Sequence, residues 1–105
     1  MLLGDGITVG HGAILHACTI GDFSLIGMGA TVLDHAVIEA YAMVGAGALV
    51  PPGKTVKSGE LWLGNPARKV RELTAAEREY LEYSASHYVQ LKDRYRQQSG
   101  RLNGK

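Results

Sequence analysis

The 105-residue sequence predicts an all-β solenoid, a parallel β-helix of about three coils, followed by a C-terminal α-helix. An aliphatic residue recurs at every sixth position over the first half of the chain, and a small residue follows it in most units. From Thr74 the sequence shows a helical pattern instead of the six-residue repeat. An amphipathic helix does not generate a six-residue period. A parallel β-helix does, because each short strand places one aliphatic residue inward and like residues stack from coil to coil.

The repeat contains one irregularity, a single five-residue step between Leu15 and Ile20. The inward row is Leu3, Val9, Leu15, Ile20, Ile26, Val32, Ile38, Val44, Val50 and Val56. The place after it is often glycine, as at Gly4, Gly10, Gly21, Gly27 and Gly45. The fifth place is often alanine or serine, as at Ala13, Ser24, Ala30, Ala36, Ala42 and Ala48.

Turn residues divide the chain into four predicted segments. Residues 1–57 form the hexapeptide-repeat β-helix, which ends near Pro51-Pro52-Gly53. Residues 58–73, containing Gly64-Asn65-Pro66, form an irregular crossover of turns. Residues 74–99 form the C-terminal helix packed on the solenoid, and residues 100–105 a flexible tail.

Capping residues and a one-sided apolar pattern define the helix. Thr74 and Glu77 have the spacing of a capping box, and Gly100 follows the last periodic residue. The stripe expected to pack on the solenoid is Tyr80, Leu81, Ser84, Ala85, Tyr88, Leu91 and Tyr95.

Composition limits the classes of function. The chain has one domain's length and a formal net charge of +1, and its repeat carries no basic stripe, so we expect neither nucleic acid nor a membrane as a partner. The single cysteine excludes an intrachain disulfide framework and is typical of a reducing compartment. No stretch reaches the length of a membrane span, and no secretory leader pattern is visible at the start. We therefore expect a cytoplasmic protein.

The first coil is expected to be open. The repeat is already in phase at Leu3, with no polar capping segment ahead of it. Strand edges and apolar side chains of this coil would therefore face solvent. We expect the chain to be the C-terminal part of a longer solenoid, or a short form that covers its open end with a partner.

Two histidines beside the irregular step are the candidate site. His11 takes the third place of one unit and His16 the second place of the next, so the two imidazoles flank one strand and corner. Two neutral imidazoles can bind Zn²⁺, Co²⁺ or Fe²⁺. A catalytic zinc site generally has three protein ligands and an open position for water, and this chain offers two evident ligands.

In these motifs the sequence resembles the γ-class carbonic anhydrases, a family of hexapeptide-repeat proteins. The resemblance covers nearly the whole chain. Its most specific part is the histidine pair with the short unit after it, whereas the repeat and the Gly-Asn-Pro-Ala turn are shared with many acyltransferases. The segments that carry it are TVGHGAILHACTIGDFSLIGMG from Thr8 to Gly29, GAGALV from Gly45, LGNPAR from Leu63, and Tyr83-Ser84-Ala85 with Tyr88-Val89.

The resemblance implies a left-handed β-helix that assembles as a homotrimer with zinc, or alternatively iron or cobalt, at the subunit interfaces. It implies that His16 joins a further histidine of its own subunit and that His11 comes from the adjacent subunit. The reaction implied is the reversible hydration of carbon dioxide, a small-molecule substrate, by metal-activated water. The family's further histidine and its surrounding Arg, Asp and Gln belong to coils outside these 105 residues, so the zinc-dependent lyase site has an incomplete ligand set here.

Other polar residues have structural interpretations. We expect Cys18 to pack in the core and His35 to be solvated. His87 is expected to help pack the helix on the solenoid. Three aspartates at turn positions are expected to bond local backbone: Asp5, Asp22 and Asp34.

Two other functions remain open at this point. In an acyltransferase of the same architecture, His11, His16 or His35 would deprotonate the acceptor, and acyl-coenzyme A would lie between coils of adjacent subunits. The basic residues Arg68, Lys69 and Arg71 would then be placed to touch a phosphate, although a solvated turn is their simpler role. In the second alternative the protein is a non-catalytic trimeric scaffold.

Overall fold

A computed structural model describes residues 1–87 of the chain. It contains a β-helix, an antiparallel hairpin and one α-helix. The β-helical strands are β1 (Leu2–Leu3), β2 (Thr8–Val9), β3 (Ile14–Leu15), β4 (Thr19–Ile20), β5 (Leu25–Ile26), β6 (Thr31–Val32), β7 (Val37–Ile38), β8 (Met43–Val44), β9 (Leu49–Val50) and β10 (Thr55–Val56). They are followed by β11 (Glu60–Gly64), β12 (Ala67–Glu72) and α1 (Ala75–His87).

The strands form three sheets, which are the three faces of a left-handed parallel β-helix. Face A has the order β1-β4-β7-β10, face B the order β12-β11-β8-β5-β2, and face C the order β3-β6-β9. Each coil contributes one two-residue strand to each face, and every third strand pairs in parallel. The predicted solenoid of about three coils followed by a helix is confirmed.

The inward row forms the core as predicted. From Ile20 to Val56 its seven members are at most 1% exposed, and the alanines of the fifth place from Ala30 to Ala48 are buried with them. Cys18, the fourth residue of the short unit, is in register with Ala36; it is 2% exposed and packs in the core, as expected.

Glycine follows the inward residue because consecutive coils approach closely at that point. A Cβ placed on Gly21 would lie 2.5 Å from the backbone nitrogen of Ala40 in the next coil. The same separation holds between a Cβ on Gly27 and the nitrogen of Ala46. Two non-bonded atoms overlap sterically at that distance, so a side chain at either position would force the coils apart.

The first coil is one residue shorter than those below it. Leu2 pairs with Thr19, 17 positions along the chain (19 − 2), whereas Thr19 pairs with Val37, 18 positions along (37 − 19). The five-residue step of the sequence accounts for the missing residue.

The inward side chains of the first coil are uncovered, as predicted. Leu3 is 56% and Val9 46% exposed, although their register partners Ile20 and Ile26 are at most 1% exposed. Within residues 1–87, β1, β2 and β3 each pair on one side only. The apolar interior therefore opens at this end.

The other end of the solenoid is covered by a hairpin, which corrects one prediction. Residues 58–73 were expected to be irregular turns, but β11 extends face B by pairing in parallel with β8, and β12 pairs antiparallel with β11. Trp62 packs against the core from β11, and Ala67 at the start of β12 is 3% exposed. The hairpin escaped prediction because β12 is rich in charged residues and shows no alternation of apolar and polar positions.

The helix begins where the capping box predicted. The Glu77 backbone N–H donates to Thr74 Oγ1 over 3.1 Å, and the Thr74 N–H donates to the Glu77 carboxylate over 2.8 Å. Leu81, Ser84 and Ala85 are buried, whereas Tyr80, assigned to the packed stripe, is 51% exposed. Tyr80 lies at the margin of the stripe, where a side chain faces away from the solenoid. The predicted helical residues 88–99 and the tail 100–105 lie outside the described residues.

Aromatic and polar contacts join the helix to one corner of the solenoid. The Arg78 guanidinium lies over the ring of Tyr41 at 5.5 Å from its centroid. The Tyr41 hydroxyl donates to Glu82 over 2.7 Å, and this bond raises the pKa of Tyr41. Of the part of the chain described, no helix is long and apolar enough to span a membrane.

Candidate functional site

Both candidate histidines lie at corners of the first coil. At each corner one residue adopts a left-handed backbone conformation, and the residue before it is the corner residue. His11 precedes Gly12, whose φ is 72°, and His16 precedes Ala17, whose φ is 50°. They therefore stand at the two ends of β3, on either side of face C, with exposed side chains.

The short unit of the repeat brings His16 to its corner. The left-handed residues Ala17 and His35 are in register, since the His35 N–H donates to the Ala17 carbonyl over 2.8 Å. Leu15 pairs with Val32, so one residue separates β3 from Ala17 and two separate β6 from His35. The second place of the short unit thus becomes the corner itself, and His16 is structurally equivalent to His11. The sequence had assigned the two histidines to different places.

Directly below His16 lies Asp34, the corner residue of the next coil. His16 Nδ1 contacts Asp34 Oδ1 at hydrogen-bond distance. This bond from His16 is the main reason that the pKa of Asp34 lies below its usual value, so Asp34 is ionised near neutral pH. A carboxylate only accepts hydrogen bonds, so Nδ1 carries the proton and donates it. In a neutral His16 the lone pair is then on Nε2, the nitrogen available to a metal.

His11 has a different environment. Its corner stacks on Met28, which precedes the left-handed Gly29 in the next coil, and the Gly29 N–H donates to the His11 carbonyl over 2.9 Å. The exposed His11 imidazole has no side-chain hydrogen bond to any other residue between 1 and 87. Met28 is itself 62% exposed, so the corner presents an imidazole beside an apolar side chain.

The donor chemistry fits a divalent metal ion, but the described residues of one chain do not form a complete site. Two exposed imidazoles are suitable ligands for zinc, and His16 already has the carboxylate partner that metal-bound histidines usually have. Among residues 1–87, no group of three or more His, Cys, Asp or Glu side chains is arranged to hold a metal. Within one chain, His11 and His16 stand at opposite ends of β3.

Asp34 is the residue that the sequence analysis missed. Asp34 was expected to bond local backbone, as was Asp22, whose Oδ1 instead accepts the Asp5 N–H of the coil above over 2.7 Å. Asp34 instead bonds a histidine one coil away. The signal that could have found it is the coil length, since Asp34 lies 18 positions after His16 (34 − 16), the spacing of the full coils.

Cys18 and His35 have the roles expected of them. Cys18 is buried two residues after His16, and burial raises the pKa of its thiol, which disfavours the thiolate needed by a metal ligand. His35 is exposed at the corner beside Asp34. The side chain of His87 is not among those described.

A separate cavity of about 400 Å³ lies at the hairpin end of the solenoid. Lys69 at its rim pairs with Glu60 and Glu72, whereas Lys54 and Arg68 form no ion pair with another described residue. Arg71 of the predicted basic cluster is bound by Glu77 at 2.6 Å. The cavity is lined by Pro51, Lys54, Trp62, Pro66, Ala67, Arg68 and Lys69.

Comparisons with known sequences identify relatives along nearly the whole chain. Residues 17–52 match the family described as bacterial transferase hexapeptide (six repeats). The chain is 50% identical over 90 residues to gamma carbonic anhydrase 2 of Arabidopsis thaliana mitochondria, covering 86% of this chain and 32% of that protein. It is 46% identical over 95 residues to protein YrdA of Escherichia coli, covering 90% of this chain and 52% of the relative.

Solved structures with the same fold include transferases. A hexapeptide transferase family protein from Anaplasma phagocytophilum matches with a TM-score of 0.79 and 45% identity, over 89% of this chain and 60% of that one. A variant of perosamine N-acetyltransferase from Caulobacter crescentus, in complex with CoA and GDP-perosamine, matches with a TM-score of 0.61 and 28% identity, over 67% of this chain and 33% of that one. The chain thus spans about a third to three fifths of the length of these relatives.

Proposed function

This chain belongs to the hexapeptide-repeat family that includes the γ-class carbonic anhydrases, and we propose that it carries part of a metal-dependent site for the reversible hydration of carbon dioxide. The observation that supports the proposal is the equivalence of His11 and His16, two exposed corner imidazoles at the ends of one strand. The 50% identity to a gamma carbonic anhydrase makes this reaction the best-supported one.

The proposed site lies between subunits of a homotrimer in the cytoplasm. Three-fold association would let His11 of one copy approach His16 of the next across the edges of face C, which a single chain cannot do. The described residues supply two protein ligands to this site, and a catalytic zinc site generally has a third. The ion proposed is zinc, with iron or cobalt as alternatives, because imidazole nitrogen suits all three.

Five described residues have a definite part in this proposal. His16 donates from Nδ1 to Asp34 and offers Nε2 as a ligand, while His11 offers an imidazole whose ring has no competing side-chain bond among the described residues. Met28 and Ile14, 62% and 58% exposed, give the surface near His11 an apolar character suited to an uncharged substrate. The chemistry that zinc supplies when bound is the activation of water for attack on carbon dioxide near neutral pH.

The test is the metal content of the purified chain, measured by plasma mass spectrometry on a preparation whose mass is known from light scattering. We expect a trimer with about one ion per chain. His11→Ala and His16→Ala should each remove most of the metal while leaving the far-ultraviolet circular dichroism unchanged, since both side chains are exposed. Carbon dioxide hydration is then measured by stopped-flow on the zinc-loaded protein.

His35→Asn is the matched control for the two histidine variants. It removes an exposed imidazole that follows the corner residue Asp34, one coil away from His16, and asparagine tolerates the left-handed backbone at that position. Metal content should not change in this variant. A metal-free trimer would reject the metal-site proposal and favour a non-catalytic scaffold.

The cavity at the hairpin end supports a second candidate function, acyl transfer from coenzyme A. Lys54 and Arg68 are cations without a carboxylate partner in the described region, and they line the cavity together with apolar Trp62 and Pro66. A related solved transferase is described with bound CoA. Isothermal titration with acetyl-coenzyme A distinguishes the candidates. If the protein is an acyltransferase, it should bind acetyl-coenzyme A. Arg68→Ala should weaken this binding, and the metal-site variant His11→Ala should leave it unchanged.

A further inference from the structure

We propose that Asp34 is a positioning residue for metal binding, which holds His16 as the Nδ1–H tautomer with Nε2 directed outward as the ligand nitrogen. This inference rests on the proposed metal site and adds a residue to it. Asp34 itself would not touch the ion. It would act through His16, by restricting both the protonation and the orientation of the ring.

The backbone of the β-helix places the side chains of His16 and Asp34 next to each other. His16 and Asp34 are corner residues of consecutive coils, each placed directly before a left-handed residue, Ala17 and His35. Backbone bonds fix both corners: the His16 N–H donates to Val32 over 2.9 Å, and the Gly53 N–H donates to Asp34 over 3.0 Å. The two side chains therefore leave the backbone from stacked positions.

The five-residue unit is what creates this pairing. Because the unit has five residues, His16 alone separates β3 from the left-handed Ala17, so the second residue of this unit stands at the corner. The corner residues in this column are then His16, Asp34 and Pro52, since Gly53 is the next left-handed residue. A carboxylate is present only in the coil directly below the histidine.

The other corner residues show that this pairing is specific. In the second coil the three corner residues are Asp22, Met28 and Asp34. Asp22 binds the backbone of the coil above, Met28 stacks below His11, and Asp34 alone binds an imidazole. The two proposed ligands thus differ, because within the described part of the chain His16 has a carboxylate to orient it and His11 has none.

The expected effect on metal affinity is moderate. Loss of a hydrogen-bonding partner behind a metal-bound histidine typically lowers affinity ~10–100-fold. The His16 and Asp34 side chains are 69% and 49% exposed, so water competes for their bond. We therefore expect Asp34→Ala to weaken zinc binding about 10-fold, at the lower end of that range. Asp34→Asn should restore most of this loss, because its amide oxygen can accept the same hydrogen bond.

Two measurements on the full chain test the inference, and only one of them needs metal. Long-range ¹H–¹⁵N correlation spectra of the metal-free protein report which nitrogen of His16 is protonated. Competition with a chromophoric chelator gives the zinc affinity. In the wild type we expect the Nδ1–H tautomer, and in Asp34→Ala a mixture of tautomers with the weaker affinity.

Asp22→Ala is the matched control, because Asp22 is the equivalent carboxylate at another corner of the same coil and bonds the Asp5 backbone and no described histidine ring. It should leave both the His16 tautomer and the zinc affinity unchanged. The inference is overturned if Asp34→Ala keeps the Nδ1–H tautomer, or if it binds zinc as tightly as the wild type. A wild type that binds no zinc would overturn the metal site itself, which is a distinguishable result.

Discussion

Phe23 and Tyr41 stack with their ring centroids 5.3 Å apart because both occupy the left-handed position at the same corner of consecutive coils. The same corner places Gly6 one coil above, where a Cβ would meet the Phe23 ring at 2.7 Å. Arg78 of the helix covers the other end of the stack at Tyr41. A single column of left-handed residues therefore joins the coils to one another and to the helix.

Removal of the Phe23 ring should destabilise the protein. Phe23→Ala loses the stack on Tyr41, which is worth about 0.5–1.5 kcal/mol beyond the apolar area it buries. Urea unfolding followed by circular dichroism measures the change in the free energy of unfolding. Phe23→Tyr keeps the ring and serves as the control. Equal stability of Phe23→Ala and Phe23→Tyr would show that the stack contributes nothing.

The spacing between coils predicts the cost of a methyl group at Gly21. Gly21→Ala would place a Cβ 2.5 Å from the Ala40 nitrogen, and we expect the free energy of unfolding to fall by about 1–3 kcal/mol. Gly47→Asn is the control, because a Cβ there meets no atom within 4 Å and asparagine accepts the left-handed φ of 70°. Thermal unfolding should rank the control close to the wild type. A tolerated Gly21→Ala would contradict the close approach of the coils.

The helix cap predicts the effect of a substitution at Thr74. Thr74→Ala removes the oxygen that accepts the Glu77 N–H, and loss of such a cap costs about 1 kcal/mol. Thr74→Ser keeps the hydroxyl and should be nearly neutral. Chemical unfolding of the two variants makes the comparison. A difference near zero would mean that packing of Leu81 and Ala85 alone determines where the helix begins.

The same capping box predicts a pH dependence. Hydrogen bonds from Arg71, followed by that from the Thr74 backbone, lower the pKa of Glu77 from 4.5 to about 2. Because the folded-state pKa is below the unfolded one, the ionised carboxylate stabilises the fold above about pH 4.5, and this contribution is lost as the pH falls toward 2. The difference in unfolding free energy between wild type and Glu77→Gln should therefore be constant near neutral pH and shrink below pH 4.5. A difference that does not vary with pH would contradict the assignment.

Uneven burial along one column of face B predicts unequal costs for one substitution. Val9 and Val44 occupy the same inward column, but Val9 is 46% exposed and Val44 is fully buried. Val44→Thr buries a hydroxyl in the core and should cost about 1–3 kcal/mol. Val9→Thr should cost clearly less. Equal costs in urea unfolding would show that the open coil is covered in solution.

The sequence by itself determined the architecture, because the constraints on a β-helix are local and repetitive. One buried aliphatic residue per unit marked each strand. A glycine, such as Gly21, marked the point where consecutive coils come close together. Thr74 and Glu77 specified the start of the helix through bonds three residues apart. The histidine pair was visible for the same reason, since both residues stand beside one irregular unit.

Contacts between coils and beyond the repeat were decided only by the tertiary structure. The bond between His16 and Asp34 depends on the short unit, which has one residue fewer between its strand and the corner than the unit below it. The composition of the unit does not show which side chain will lie above Asp34. The hairpin strand β12 is held by pairing with β11 and has no apolar alternation of its own to predict it. Tyr80 lies at the edge of the helical stripe, where the position of the neighbouring solenoid and not the period decides burial. The periodic pattern of the sequence specifies the local conformation of each unit, whereas the stacking of the coils decides which side chains come into contact.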